Sequence, residues 1–205
     1  AEYMTILRDL EQTAFTIAHV HTAYTDGIDD SVHLLDEIYS CHHHDRTKRE
    51  NRLRTNLARG LRLGVVAGSD MHRLTMGHLC KEPGKRWPQG GWESCQYQTA
   101  GLQATFASEL TRVGLYQGMK DRFTYGTSGA RIVLLFHCGD SPMGAQVAME
   151  MNEKPEFKIE VGGVGSLSEI AVCRYDGEVW SEPYKETLED VDRWSTTWRD
   201  DDFLE

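Results

Sequence analysis

The sequence has no Cys-x-x-Cys pair, and its five cysteines are odd in number. This usage favours reduced thiols over a disulfide framework or a cysteine-rich zinc site. No run of eighteen apolar residues occurs, and the first residues lack the basic and apolar regions of a signal peptide. We therefore expect a protein that does not associate with a membrane and that resides in the cytoplasm.

Basic residues are scarce relative to acidic ones. Lys and Arg number 22 against 32 Asp and Glu, which gives a formal net charge of -10. Neutralisation of phosphates dominates the affinity of duplex-binding proteins, so this balance argues against a duplex nucleic-acid partner. A small anionic substrate is still compatible with it, because a bound cation can invert the local field.

The motifs of several enzyme classes are missing. The chain has no Gly-x-Ser-x-Gly, no Gly-x-x-x-x-Gly-Lys and no Gly-x-Gly-x-x-Gly after a predicted strand. The glycine-rich stretch at 162–165 follows one predicted strand and leads into another, so we expect a turn there. Nucleophile-elbow hydrolases and the common nucleotide-binding folds are therefore not indicated.

The histidines are distributed along the sequence in a distinctive pattern. Seven of its nine histidines lie between His19 and His72, and acidic residues lie among them. Apolar runs at 15–18, 32–39 and 63–67 predict three buried strands, and each is followed within five residues by histidine. Residues that end neighbouring parallel strands meet at one edge of a sheet, which is where such folds place function.

Five residues are candidate metal ligands at these strand ends. Residues two apart on an extended chain point to the same side, so each i, i+2 pair can address one ion. Mixed imidazole and carboxylate ligands are typical of Zn, Mn or Fe hydrolase sites. The candidates are His19, His21, His42, Asp70 and His72.

Several alternatives are open for these residues. Asp70 could instead cap a turn and His72 lie on the surface, and either histidine of the first pair could donate to a backbone carbonyl. In the run 42–44 we favour His42, although His44 shares its face. Glu37 is either a hydrogen-bonded structural carboxylate or part of a metal site.

Between the last histidine motif and residue 129, the sequence predicts a long loop and a helix. Residues 81–101 are rich in Gly, Pro and Trp, which indicates a long irregular loop of the kind that forms lids. Residues 107–123 predict a helix capped by Ser108 or Thr111, with Leu110, Val113 and Leu115 or Met119 available for burial. Helices are also predicted at 3–12 and 45–59, the latter closed by Gly60.

Beyond residue 129 the pattern indicates a small antiparallel β unit. We predict strands at 131–138, 157–161, 170–175 and 178–180, with Asp176-Gly177 as a hairpin turn. The acidic stretch from Thr187 ends in Asp200-Asp201-Asp202, which predicts a solvated tail. The domains expected are an α/β metal-site region over 1–129 and a small β-sandwich-like domain with an acidic tail over 130–205.

The order of motifs resembles the carboxyl-terminal half of the polymerase and histidinol phosphatase (PHP) family of metal-dependent phosphoesterases. The resemblance rests on Thr-Ile-Ala-His at 16–19, Asp-Glu-Ile-Tyr-Ser-Cys-His at 36–42 and Gly-Ser-Asp-Met-His with Thr-Met-Gly behind it at 68–77. Residues 109–132 are similar to an uncharacterised bacterial group of PHP-like proteins that end in a small β domain. The family's first His-x-His motif and middle Glu have no counterpart, which predicts a fragment, a ligand-sharing oligomer or a scaffold without catalysis.

The resemblance and the residues together predict the fold and the activity. The fold class expected is α/β, a partial (βα) barrel-like parallel sheet followed by a small antiparallel β domain. The activity expected is metal-dependent hydrolysis of a small-molecule phosphate ester or similar substrate, with Asp70 and His72 as catalytic residues. The alternative is a non-catalytic scaffold or binding module that retains part of a PHP-like metal site.

Overall fold

The computed structural model describes residues 14–19, 29–40, 46–69, 101–150 and 152–203, with the backbone alone for 46–51. The chain divides into two compact units, Ala1–Gly129 and Ala130–Glu205. No helix among the described residues is long and apolar enough to cross a membrane. The predicted helix at 3–12 and the predicted loop at 81–101 lie outside these residues, except for Gly101.

The first unit contains five described strands and two helices. In chain order they are β1 (Thr16–Ala18), β2 (His33–Tyr39), α1 (Arg46–Ala58), β3 (Gly64–Ala67), β4 (Leu102–Thr105), α2 (Arg112–Lys120) and β5 (Thr124–Thr127). Strands β1, β2 and β3 form a parallel sheet in that order, and β4 pairs with β5 in an antiparallel sheet. The strands predicted at 15–18, 32–39 and 63–67 are confirmed.

The parallel sheet forms because its strands are apolar enough to be covered. Val32 and Leu35 are fully buried, and Leu34, Leu35 and Val66 form a core cluster against which Phe15 and Met119 pack. Burial of this kind stabilises by about 25 cal/mol for each Å² of apolar surface removed from water. The core therefore fixes β2 in the centre of the sheet, with β1 and β3 on either side.

The helix α2 begins as the sequence predicts but packs differently. The Thr111 hydroxyl accepts from the Gly114 amide at 3.0 Å, which confirms Thr111 as the N-cap. Leu110 and Val113 are mostly exposed, so the burial predicted for these two is wrong, whereas Met119, which was also a candidate for burial, packs against the core cluster. The buried positions are glycines instead, and a Cβ added at Gly118 would approach the Phe106 carbonyl oxygen to 2.1 Å. Backbone proximity, not apolar periodicity, decides which face of this helix is covered.

The second unit is one antiparallel sheet of four strands. They are β6 (Val133–Cys138), β7 (Ser141–Pro142), β8 (Glu156–Tyr175) and β9 (Trp180–Arg199), in the order β7-β6-β8-β9. Phe157 stacks between Phe136 and Trp198 on the face that also carries the buried Ile159. Cross-strand aromatic pairs of this kind stabilise antiparallel sheets beyond the area that they bury.

Three expectations for the second unit have clear outcomes. The Asp176-Gly177 turn is confirmed, because Asp176 accepts from the amides of Glu178 and Val179 and Gly177 has a φ of 101°. The turn predicted at 162–165 is wrong, since these residues lie inside β8. The solvated tail is wrong for Asp200, which is 3% exposed and receives two hydrogen bonds from the Arg174 guanidinium.

The predicted fold class is wrong as well. The described residues form nine strands and only two helices, so the structure is mostly β and not a barrel-like α/β fold. The next described strands after β3 are β4 and β5, and they form an antiparallel pair, which a parallel barrel does not contain. In addition, the stretch from 156 to 199, for which the sequence predicts only short strands up to residue 180, forms two strands of twenty residues each. Local apolar runs identified strands but could not show how few of them pair in parallel.

Candidate metal-binding edge of the parallel sheet

The carboxyl ends of the three parallel strands lie at one edge of the sheet. In the register, Ala18 pairs with Asp36 and Tyr39 with Ala67. The Gly68 amide then donates to the Tyr39 carbonyl at 2.9 Å, which extends the pairing of β2 and β3 by one residue. The three strands therefore end at the same edge of the sheet, where His19 follows β1, Ser40 follows β2 and Gly68 follows β3.

Two backbone hydrogen bonds fix the position of Gly68, the first residue after β3. The Gly68 carbonyl accepts from the Gly101 amide at 3.0 Å, so both of its backbone groups are bonded. A Cβ added at Gly101 would come within 2.7 Å of the Gly68 oxygen and of the Tyr39 ring. Only glycine fits this close approach, and the contact fixes where residues 69 onward begin.

His19 is the predicted ligand that the structure describes, and Glu37 holds its ring. The distance between His19 Nδ1 and Glu37 Oε2 is 2.6 Å. Because Ala18 lies beside Asp36, the next residue along β1 comes next to Glu37 on β2. The His19 side chain is 48% exposed and that of Glu37 is 13% exposed, so the imidazole is accessible while its partner is largely covered.

This pair has the chemistry of a supported metal ligand. When Nδ1 donates its proton to the carboxylate, the imidazole carries its lone pair at Nε2, the atom through which histidine often binds a metal. Metal-binding histidines in proteins almost always donate their other ring N–H to a carboxylate, a backbone carbonyl or water. Of the two alternatives for Glu37, the structure favours a hydrogen-bonded carboxylate that orients His19.

Arg52 on α1 connects the ends of β1 and β2. Its guanidinium donates to the His19 carbonyl oxygen at 2.8 Å and to the Glu37 carbonyl oxygen at 3.3 Å. The same group forms an ion pair with Asp36, whose side chain is fully buried. One side chain from the helix therefore fixes the main chain on both sides of the His19–Glu37 pair.

Burial sets the protonation of the groups beneath this edge. Burial raises the pKa of Asp36, and the Arg52 guanidinium counteracts that rise. Burial also lowers the pKa of His33, whose Nδ1 lies 3.1 Å from the Thr16 hydroxyl. His33 Nε2 is buried without a hydrogen-bond partner among the described residues. His33 is thus a neutral core histidine and not part of the exposed edge.

The other predicted site residues, His21, His42, Asp70 and His72, lie outside the described residues. Within the described ranges, no group of three or more His, Cys, Asp or Glu side chains comes together as a ready metal site. Sequence reasoning missed Arg52 and its ion pair with Asp36. The available signal was an aspartate inside an apolar strand, which needs a cationic partner when buried.

Comparison with known proteins gives a partial match. The family described as "Protein of unknown function (DUF3604)" matches residues 56–156. An uncharacterized protein of Chlamydia trachomatis is 27% identical over 137 residues, which cover 63% of this chain and 20% of the relative. An uncharacterized protein of Chlamydia pneumoniae is 30% identical over 129 residues, covering 60% of this chain and 18% of the relative.

These matches show that the chain is much shorter than its relatives, and they do not indicate an activity. The chain spans about a fifth of the length of the curated relatives that it matches. No solved structure matches the chain. The descriptions of the family and of its relatives give no activity, so the resemblance to the PHP family stays a prediction.

Proposed function

We propose that this chain carries part of the site of a metal-dependent hydrolase, by resemblance a phosphoesterase of the PHP type that uses metal-activated water. The observation that supports it most is the His19–Glu37 pair at the carboxyl edge of the parallel sheet. A carboxylate that holds Nδ1 of an accessible histidine is the usual support of a metal-binding imidazole. The donor set at this edge therefore fits a divalent cation.

The proposed ligands follow the three strand ends along the chain. His19 and His21 come after β1, His42 after β2, and Asp70 and His72 after β3. Since these strands are parallel neighbours, the three segments start from one edge. Nitrogen and oxygen donors of this kind suit Zn, Mn or Fe.

Each residue has a distinct role in the proposed chemistry. A divalent cation, when bound, lowers the pKa of its water from about 16 toward about 7. Glu37 orients the His19 ring and fixes its tautomer, and Arg52 holds the main chain of both residues. Asp70 orients the attacking water, and His72 transfers a proton to or from it.

The charge distribution is compatible with an anionic ester as substrate. The residues up to 129 contain 15 basic and 15 acidic side chains, so the formal charge of -10 lies entirely in 130–205. An ester phosphate that approaches the sheet edge therefore meets no net negative charge from its own unit. A bound cation would add positive charge at the reacting centre.

Hydrolysis of bis(4-nitrophenyl) phosphate in the presence of Zn²⁺, Mn²⁺ or Fe²⁺ tests the proposal. The wild-type chain should release 4-nitrophenol with at least one metal, and Asp70→Asn should lose at least about a hundredfold in rate. His137→Ala, which changes a histidine of β6, is the control and should keep the wild-type rate. Metal binding without any hydrolysis would instead support the alternative of a scaffold that retains a metal site, and a rate unaffected by Asp70→Asn contradicts the assignment of that residue.

A further inference from the structure

A groove crosses one face of the four-stranded sheet in the second unit. Its volume is about 590 Å³, which is within the range of about 300–1,000 Å³ typical of small-molecule sites. The groove is lined by Arg131, Val133, Leu135, Glu160, Val161, Gly162, Gly163, Arg193, Trp194 and Ser195. It lies within 130–205 and is independent of the proposed metal site.

The register of the strands explains the shape of this groove. Val133, Gly162 and Arg193 pair side by side across β6, β8 and β9, and they share one face of the sheet. Because Gly162 has no side chain, the centre of this row is open. A Cβ added there would have no heavy atom within 4 Å. The missing side chain of the central strand therefore makes the depression.

The next row supplies groups that can orient a ligand. Leu135, Glu160 and Ser195 pair in the same way, so they lie on the same face as the first row. Val133 and Leu135 give the floor an apolar part, while Glu160 and Ser195 give it hydrogen-bonding groups. A hydrogen bond and ion pair from Lys158 lower the pKa of Glu160, so its carboxylate is ionised and accepts hydrogen bonds at neutral pH.

Two arginines at the groove are unusual in this strongly acidic unit. Residues 130–205 contain seven basic side chains against 17 acidic ones. Arg131 and Arg193 both line the groove. Within the part of the chain that the structure describes, neither guanidinium has an ion pair or a hydrogen bond, whereas Arg174 and Arg199 are paired with aspartates. Two guanidinium groups that have no partner among the described residues, beside an open depression, favour the binding of an anion.

We propose that this groove binds a small hydroxylated organic anion, of the chemical class of an acidic sugar. Its carboxylate, sulfate ester or phosphate ester would accept hydrogen bonds from Arg131 and Arg193. Its hydroxyl groups would donate to Glu160 and Ser195, and its carbon skeleton would cover Val133 and Leu135. The guanidinium groups and the carboxylate thus select a ligand that is an anion and also a donor.

Calorimetric titration of the 205-residue chain with four probes tests this proposal. The probes are D-glucuronate, D-glucose 6-sulfate, D-glucose 6-phosphate and D-glucose, which share a ring and differ in the charged group. At least one anion should bind, and at least about tenfold tighter than neutral glucose, since charge-assisted hydrogen bonds are the stronger ones. The anion that binds tightest identifies which oxoanion the groove prefers.

Two pairs of variants separate binding in the groove from binding elsewhere. Gly162→Val fills the open centre and should abolish binding, while Gly165→Val, at another strand glycine with open space around it, should keep it. Arg193→Gln should weaken anion binding about tenfold. Arg199→Gln removes the same charge from β9 outside the groove and should have little effect. Circular dichroism and thermal unfolding of each variant establish that the sheet is intact.

Three results would overturn the proposal. The first is that none of the three anions binds at millimolar concentration. The second is that glucose binds as tightly as they do. The third is that a folded Gly162→Val chain binds an anion with the wild-type affinity, because the ligand then lies somewhere else.

Discussion

At the level of single residues, Arg52 connects several of the described groups at the proposed site. It neutralises the fully buried Asp36 and also donates to the main chain of His19 and of Glu37. A buried carboxylate that loses its partner is strongly destabilising, because its desolvation is no longer compensated. Arg52 is therefore a positioning residue whose loss should affect both stability and metal binding.

Replacing Arg52 by Gln tests this role. We expect Arg52→Gln to lower the free energy of unfolding by about 3 kcal/mol, since a buried charge is left without its partner. The control is Arg62→Gln, which removes a largely exposed partner of Asp30 and should cost less than about 1 kcal/mol. Urea denaturation of the two variants gives the comparison, and equal losses would contradict the importance assigned to burial.

Because His33 is buried, we expect the stability of the folded chain to depend on pH. Burial lowers its pKa below the ordinary value of 6.5, so the unfolded chain binds a proton that the folded chain does not. Stability should then be full above about pH 6.5 and fall as the pH drops below it. Between pH 7.5 and 5.5 the wild-type midpoint in urea should fall more than that of His33→Gln. The same fall in both proteins would show that His33 does not contribute.

Individual contacts were only partly predictable. His19 was identified because it follows an apolar strand, and that pattern is local. Its partner Glu37 lies 18 residues away, and Arg52 lies 16 residues from Asp36, so strand register and helix packing decide these contacts. No local pattern contains that information. The sequence did contain the reason for a partner, because an acidic side chain inside an apolar strand requires compensation.

At the scale of elements, the ends of the second unit's long hairpin are fixed by different means. The tip is a turn in which Asp176 accepts from two backbone amides. After β9, the carboxylate of Asp200 accepts hydrogen bonds from the Arg174 guanidinium. The Asp200 amide donates to the Pro155 carbonyl oxygen at 2.9 Å. The buried ion pair thus joins Asp200, just after β9, to Arg174, the next-to-last residue of β8.

Neighbouring aspartates allow a direct test of that contact. We expect Asp200→Asn to destabilise the second unit by about 2 kcal/mol, because Asp200 is nearly fully buried and a charged hydrogen bond is lost. Asp201→Asn breaks a pair in which both side chains are more than half exposed, so its effect should be within about 0.5 kcal/mol. Thermal unfolding monitored by near-ultraviolet circular dichroism of the tryptophans measures both. A larger effect at Asp201 would contradict the account.

Elements with one buried face were predictable, and those exposed on both faces were not. The strands β1, β2 and β3 follow apolar runs, and the hairpin turn follows Asp-Gly. In contrast, β9 has one buried side chain, that of Leu188, and its other side chains are partly or fully exposed. With few apolar positions it has little period-2 signal, so the sequence predicts no strand for its residues from 187 onward. Strands β4 and β5, with the sequences Leu-Gln-Ala-Thr and Thr-Tyr-Gly-Thr, lack the continuous apolar run that marks β3.

At the scale of the whole molecule, the two units differ in architecture and in charge. The first contains the parallel sheet with no net formal charge, and the second is an antiparallel sheet that carries all of the -10. The fold class was mispredicted because the order of motifs along the chain suggested repeated strand and helix units. The pairing of strands is a long-range property, and composition and periodicity do not determine it.

Calorimetric titration of the purified chain with Zn²⁺ determines whether the edge of the parallel sheet is a metal site. The wild-type chain should bind Zn²⁺ in stoichiometric amount, and His19→Ala should weaken this binding at least about tenfold. Glu37→Gln should weaken it by about 10–100-fold through loss of the carboxylate that orients the imidazole, while His137→Ala should leave it unchanged. If His19→Ala and Glu37→Gln both bind Zn²⁺ as the wild type does, the sheet edge that begins at His19 is not a metal site.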